Sequence, residues 1–127
     1  YQDPQSGTWY QVTDQGAREG NYLESSATAL FIYTLAKAVN KGYIGKEYIQ
    51  PTRKAFDGMV KTFTSLEEDG SYTITNCCAV AGLGGVSKRY RDGSFEYYIS
   101  EPVIENDPKS VGSFILAAIE YEKMTDK

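Results

Sequence analysis

Residues 21–42 read NYLESSATALFIYTLAKAVNKG, and this stretch predicts the first helix of the fold. Asn21 is a suitable N-terminal cap, and Glu24, three residues later, is placed to bond back to the free backbone amides. Residues spaced as on one buried helix face then follow at Ala27, Leu30, Phe31, Thr34, Leu35 and Ala38. Because Gly42 is a typical helix stop, we expect a helix from about residue 22 to residue 41.

A second helix is predicted from about residue 46 to residue 64. Pro51 is tolerated there only because it lies near the first turn. The apolar stripe of this helix consists of Ile49, Phe56, Met59, Val60 and Phe63. The link around Gly42 to Gly45 is short, so the two helices are expected to be antiparallel neighbours in a helical hairpin.

A third helix is predicted near the end of the chain, with Asp107 as its cap and Pro108 at its first position. It should run to about Met124, with a core face of Val111, Phe114, Ile115, Ala118 and Ile119. Between the second and third helices, residues 71–75 alternate and are rich in β-branched side chains, which indicates a short strand. The predicted fold class is therefore mainly all-α, with about three helices and a short β-hairpin-like insert.

The composition limits the classes of function. The chain has 127 residues, 41% hydrophobic and 24% charged, which is typical of one folded domain. A net charge of −4 argues against nucleic acid and anionic membranes as partners. Cys77 and Cys78 are adjacent, so we expect buried free thiols and a reducing, cytoplasmic setting, with a periplasmic or secreted one left open. Neither a metal site nor a cofactor is predicted.

A series of short motifs occurs in a specific order across nearly the whole chain. The motifs are Gly7-Thr8-Trp9-Tyr10-Gln11-Val12, Gly20 to Ala27, Ala81-Gly82-Leu83-Gly84, Tyr90-Arg91-Asp92-Gly93-Ser94, Glu96-Tyr97-Tyr98, and Asn106-Asp107 followed by Val111-Gly112. Their succession resembles the end of glycoside hydrolase family 105, which is related to family 88. The resemblance implies that residues 1–127 are the carboxy-terminal segment of an α/α toroid of six helical hairpins.

The resemblance also implies an activity for the parent enzyme: removal of the 4,5-unsaturated uronic acid from oligosaccharides made by polysaccharide lyases, such as pectic rhamnogalacturonan fragments. An aspartic acid there protonates the C4=C5 double bond and water adds at C5. The family takes its catalytic residues from earlier portions of the chain, including a histidine and a tryptophan-rich motif. This sequence has no histidine, and Trp9 is its only tryptophan. We therefore assign it no catalytic residue and expect no turnover by this chain alone.

The glycine-rich loop is the best candidate for binding substrate. Glycines let a backbone approach a ligand closely, and nearby basic side chains could meet a uronate carboxylate. The candidate substrate-binding residues are Gly84, Gly85, Val86, Ser87, Lys88 and Arg91. The alternative is a tight structural turn with solvated basic residues. Asp14, Glu19 and Asp92 are interpreted as loop or turn residues rather than as acids or bases.

Three helices cannot cover all of the predicted apolar stripes. We expect an exposed apolar patch larger than the ~300–600 Å² usual for monomers. Its expected members are Leu30, Phe31, Leu35, Phe56, Phe63, Phe114 and Ile115. Such a patch predicts self-association or docking onto the missing amino-terminal portion. The family resemblance implies a second partner, an unsaturated uronic-acid oligosaccharide bound by the full-length parent. The alternative function is a free-standing, non-catalytic glycan-binding or protein-interaction module.

Overall fold

The computed structural model describes residues 1–85 and 90–125. Its helices are α1 (Ser25–Lys41), α2 (Ile49–Phe63), α3 (Phe95–Ser100) and α4 (Pro108–Thr125). A single 3₁₀ turn, Lys46–Tyr48, leads into α2. The strands are β1 (Thr64–Leu66), β2 (Tyr72–Ile74), β3 (Cys77–Cys78) and β4 (Val103–Ile104), and they form the antiparallel pairs β1–β2 and β3–β4. The described part of the chain contains no helix long and apolar enough to cross a membrane.

Helices α1 and α4 lie side by side and run in the same direction. Ser25 and Ser110, at their starts, are joined by a buried hydrogen bond of 2.9 Å between the hydroxyl oxygens. Near their ends, the side-chain amide of Asn40 donates to the backbone carbonyl of Glu120 at 2.8 Å. Helix α2 packs against both, and the core between the three consists of Ala29, Ile32, Ala55, Met59, Phe63 and Ala117. In an α/α toroid, alternate helices are parallel, so this arrangement fits a slice of such a fold.

The predicted core faces of α1 and α4 are wrong by a rotation of about one residue. The buried residues of α1 are Ser25, Thr28, Ala29, Ile32 and Ala36, whereas Leu30 is 49% exposed and Phe31 is 39% exposed. On α4, Ser110, Ser113 and Ala117 are buried, while Ile115 is 55% exposed. The physical reason is close helix packing: small residues let the two parallel helices approach, which leaves the large apolar residues outside.

The exposed apolar residues of α1 and α4 lie where the sequence predicts an unsatisfied surface. We call Leu30, Phe31 and Thr34 the α1 flank, and Ile115, Leu116 and Ile119 the α4 flank. The expectation that three helices cannot cover all seven apolar residues is confirmed, because Leu30, Phe31 and Ile115 are exposed. Leu35, Phe56 and Phe114 are half-buried, and Phe63 is completely buried in the core.

The start of α1 differs from the sequence prediction. Glu24, not Asn21, is the capping residue, and its Oε2 accepts from the backbone amide of Ala27 at 2.7 Å. Asn21 instead holds the preceding loop together: its Oδ1 accepts from the amide of Val12, and its Nδ2 donates to the carbonyls of Val12 and Gln15. The helix therefore begins at Ser25 rather than near residue 22.

The middle of the chain contains one predicted element and one that the sequence analysis missed. The strand expected at residues 71–75 is confirmed as β2, which pairs with β1 in the register Thr64↔Ile74. Since β1 begins at Thr64, α2 ends one residue earlier than expected. Residues 95–100 form α3, a fourth helix, capped by the Ser94 hydroxyl accepting from the amide of Tyr97.

Candidate binding site

Two of the candidate loop residues are joined by backbone hydrogen bonds. The amide of Gly84 donates to the carbonyl of Arg91 at 2.7 Å, and the amide of Arg91 donates back to Gly84 at 3.2 Å. This isolated antiparallel bridge closes the base of a loop and brings Gly84, Gly85 and Arg91 together. The other candidates, Val86, Ser87 and Lys88, lie outside the described residues.

The two glycines of the loop are required by backbone conformation. Gly84 has φ 69° and Gly85 has φ 119°, both in the region that side chains disfavour. A Cβ atom added at either position would meet no heavy atom of the described residues within 4 Å. As far as residues 1–85 and 90–125 are concerned, the space beside this backbone is open, which is what the approach of a ligand requires.

A polar cluster under the loop supports Arg91. A Cβ atom added at Gly82 would lie 3.1 Å from Nη1 of Arg91, so the guanidinium group rests against the Gly82 backbone. Tyr97 and Glu101, one helical turn apart, are both buried. Burial raises the pKa of Tyr97, and its hydrogen bond with Glu101 raises that pKa further. Arg91, whose positive charge lowers the same pKa, therefore lies close to this pair.

Helix α3 connects the glycine loop to the amino-terminal segment, which we define as residues 1–24, before α1. The guanidinium of Arg18 forms an ion pair with Glu96 and lies 3.8 Å from the centre of the Phe95 ring. A Cβ atom at Gly20 would lie 2.8 Å from Cδ1 of Ile99, so the backbone of the segment approaches α3 closely. The amino-terminal segment and the glycine loop thus meet on one short helix.

Several acidic residues have structural roles. Asp92 accepts hydrogen bonds from the hydroxyl and amide of Ser94, and these bonds lower the pKa of its carboxyl group. Its predicted function as a turn residue is confirmed. Glu24 is 1% exposed, and besides capping α1 it accepts from the backbone amide of Cys78 at 3.0 Å. The Glu24 carboxylate is therefore not available to act as an acid or base on a ligand, while Asp14, Glu19 and Asp92 are exposed.

Glu24 belongs to a buried group of side chains that the sequence analysis did not assemble. The Cys78 sulfur accepts a hydrogen bond from the side-chain Nε2 of Gln11 at 3.2 Å. Tyr22 also faces the Cys78 thiol, and burial raises the pKa of its hydroxyl group. The prediction that Cys77 and Cys78 are buried free thiols is confirmed. No sequence signal joins Gln11, Tyr22 and Cys78, because the contact depends on how distant segments pack.

Comparison with known proteins identifies a family over almost the entire chain. The family model of Glycosyl Hydrolase Family 88 matches residues 1–125. The 24.9 kDa protein in picA locus of Rhizobium radiobacter is 39% identical over 120 residues, which cover 91% of this chain and 52% of the relative. Protein Atu3128 of Agrobacterium fabrum matches with the same identity and coverage. The chain thus spans about half the length of these curated relatives.

Solved structures match the fold closely. A family 105 glycoside hydrolase of C. acetobutylicum is 46% identical with a TM-score of 0.91, and the match covers 95% of this chain but 33% of that one. A possible family 105 member from Salmonella enterica is 28% identical, with a TM-score of 0.74 and coverage of 98% and 28%. The described helices are thus those of a partial α/α toroid that spans about a third of the larger hydrolase.

Proposed function

The chain belongs to Glycosyl Hydrolase Family 88, and from that premise we propose that it is the carboxy-terminal part of an unsaturated uronyl hydrolase. The parent enzyme would remove the 4,5-unsaturated uronic acid from lyase-generated oligosaccharides such as rhamnogalacturonan fragments. The similarity to the family 105 hydrolase of C. acetobutylicum carries this proposal, because 46% identity extends over nearly the whole chain. The substrate follows from the family resemblance of the sequence motifs.

The proposed reaction is a hydration. An acid in the remainder of the enzyme donates a proton to C4 of the C4=C5 double bond, and water adds at C5. The resulting hemiketal opens and releases the neighbouring sugar. A general acid for this step must be protonated at the working pH and held against the double bond. We assign no such residue to this chain.

The proposed contribution of this chain is substrate binding by the glycine loop. The Gly84–Arg91 bridge fixes the base of the loop, and no described residue fills the space beside Gly84 and Gly85. The Arg91 guanidinium group lies against Gly82 and near Tyr97 and Glu101, so its positive charge is close to the base of the loop. A guanidinium group is well suited to a sugar carboxylate.

We also propose that the α1 and α4 flanks are covered by the rest of the same hydrolase fold. The flanks lie on the two helices of one parallel layer, and each exposes large apolar side chains. Burial of such side chains contributes roughly 25 cal/mol for each Å² of apolar surface. One partner that contacts both flanks would close the toroid around this chain.

Complementation tests the proposed function. The 127-residue chain alone should leave the ultraviolet absorbance of an unsaturated galacturonyl disaccharide unchanged. Mixed with the matching amino-terminal two-thirds of the C. acetobutylicum hydrolase, it should bind and restore loss of that absorbance. Arg91→Ala should then raise KM more than it lowers kcat, with Lys41→Ala as a matched surface control. Turnover by the isolated chain would refute the proposal, as would a folded complex without turnover of this substrate.

A further inference from the structure

A polar groove lies between the amino-terminal segment and α2, away from the glycine loop. Its volume is about 420 Å³, within the range of small-molecule sites. Its lining includes Gln5 and Ser6 from the segment, and Gln50, Arg53, Lys54, Asp57 and Lys61 from α2. Two amides, a hydroxyl, three cations and one carboxylate therefore face a common space.

The wall of this groove is held firmly by contacts between the segment and α2. The side-chain amide of Gln2 donates to the carbonyls of Gly7 and Pro51, at 2.8 and 2.9 Å. The ammonium group of Lys54 donates to the carbonyl of Pro4. A Cβ atom at Gly58 would lie 1.8 Å from the carbonyl oxygen of Ser6, so only glycine permits this approach. The groove is thus a built feature rather than a chance gap between loose chains.

Arg53 and Lys61, two of the three cations of the groove, have unused hydrogen-bonding capacity. Nε of Arg53 is buried and has no hydrogen-bond partner within the described residues. Neither Arg53 nor Lys61 takes part in an ion pair in that same part of the structure. A buried donor without a partner is costly, and an anionic ligand would satisfy it. The local excess of positive charge contrasts with the net charge of −4 for the chain.

The groove contains no residue of the α1 or α4 flank, which are the apolar surfaces that we expect the rest of the fold to cover. Gln50, Asp57 and Lys61 recur on one face of α2. Beside this face, Phe56 stacks on Tyr121 with ring centres 3.9 Å apart, and Val60 lines an apolar cavity with Phe114. Covering the two flanks would therefore not occupy the residues of the groove.

We propose that this groove binds an acidic sugar, with the sugar carboxylate against Arg53 and Lys61 and its hydroxyl groups against Asp57, Gln5 and Gln50. The single carboxylate of the lining selects the ligand class. Asp57 would repel a compact multivalent anion, but it accepts hydrogen bonds from sugar hydroxyl groups. A monoanion rich in hydroxyl groups matches all of these side chains. The inference does not depend on the proposed hydrolase activity.

Ligand-observed NMR titration of the 127-residue chain tests this site, with sodium galacturonate as the probe. Galacturonate should bind, galactose should not, and an equal concentration of sodium sulfate should not displace the galacturonate. Lys61→Gln should weaken binding roughly threefold, as for an exposed charge, and Arg53→Gln about tenfold, as for a partly buried one. Lys41→Gln, at an exposed lysine outside the groove, should bind like the wild type.

Three outcomes would overturn the proposal. Equal binding of galactose would show that the carboxylate is not recognised, and displacement by sulfate would show that the groove responds to charge alone. Equal weakening by Lys61→Gln and Lys41→Gln would place the binding elsewhere. Because Lys61 is exposed, its substitution should leave the fold intact, so the test stands even if Arg53→Gln impairs folding.

Discussion

The hydroxyl oxygens of Ser25 and Ser110 lie 2.9 Å apart at the point where α1 and α4 begin side by side. Both side chains are almost fully buried, 2% and 1% exposed. The pair joins the starts of two parallel helices through small residues. Small residues at this contact let the helices pack closely, while the larger apolar residues remain on the flanks.

The first prediction concerns this serine pair. Ser110→Ala should lower the free energy of unfolding by about 1 kcal/mol, because the buried Ser25 hydroxyl loses its partner. The double variant Ser25→Ala, Ser110→Ala should cost less than the sum of the single variants, since no unpaired hydroxyl remains. Urea denaturation of the four proteins measures the coupling. Additive costs would show that the hydrogen bond contributes nothing to stability.

The second prediction is that Glu24→Gln is costly although the side chain keeps its shape. The carboxylate accepts from the amides of Ala27 and Cys78 and from the hydroxyl of Ser26. A glutamine must turn its NH₂ group towards at least one of these donors, so we expect a loss on the order of 2 kcal/mol. Glu19→Gln, at an exposed position, should change stability by less than about 0.5 kcal/mol. Similar midpoints of chemical denaturation for both variants would contradict this role of Glu24.

The third prediction concerns the two flanks. Leu30→Ser and Ile115→Ser should reduce self-association of the isolated chain and its binding of an apolar dye, because both side chains are about half exposed. Each should change stability by about 0.5 kcal/mol or less. Light scattering and dye fluorescence measure the effect. Tyr43→Ser is the control, since Tyr43 is 79% exposed but lies outside the flanks. A compact wild-type monomer that binds no dye would instead favour the free-standing module.

The fourth prediction is a loss of stability at alkaline pH that depends on Cys77. Burial, and then the nearby charge of Glu24, raise the pKa of this thiol above its ordinary value of 9.0. Below pH 9.0 the thiol is protonated in both the folded and the unfolded chain, so its full contribution to the free energy of unfolding is present. Above it the unfolded chain releases a proton that the folded chain keeps, and stability falls until the folded pKa is passed.

Chemical denaturation between pH 7 and pH 10.5 checks this dependence. Cys77→Ala removes the titrating group and should flatten the decline relative to the wild type, although the variant is less stable at every pH because the side chain is buried. Lys41→Ala, at an exposed site, should preserve the wild-type slope. Equal slopes for wild type and Cys77→Ala would show that this thiol does not couple to folding in that range.

Local signals in the sequence determined where most helices and the strand β2 lie. Gly42 ends α1 with φ 71°, Pro108 occupies the first position of α4, and the alternating residues 71–75 contain β2. A bond from Glu24 to amides at the start of α1 was also predictable, because it acts within one turn, although Glu24 occupies the capping position that was assigned to Asn21. These features depend on interactions between residues close in sequence, so they can be predicted from the amino-acid sequence alone.

Only the tertiary structure decided which helix faces are buried and which residues share a site. Periodicity predicted Leu30 and Ile115 as core residues, but the parallel packing of α1 on α4 selected Ala29 and Ala117. The groove beside Arg53 likewise requires the amino-terminal segment to lie across α2. Close packing requires complementary shapes between surfaces that are far apart in sequence, and the pattern of hydrophobic residues along the chain does not specify those shapes. In a chain that forms only part of a larger fold, some of the most apolar helix faces are exposed. An apolar stripe in the sequence therefore does not identify the core of this chain.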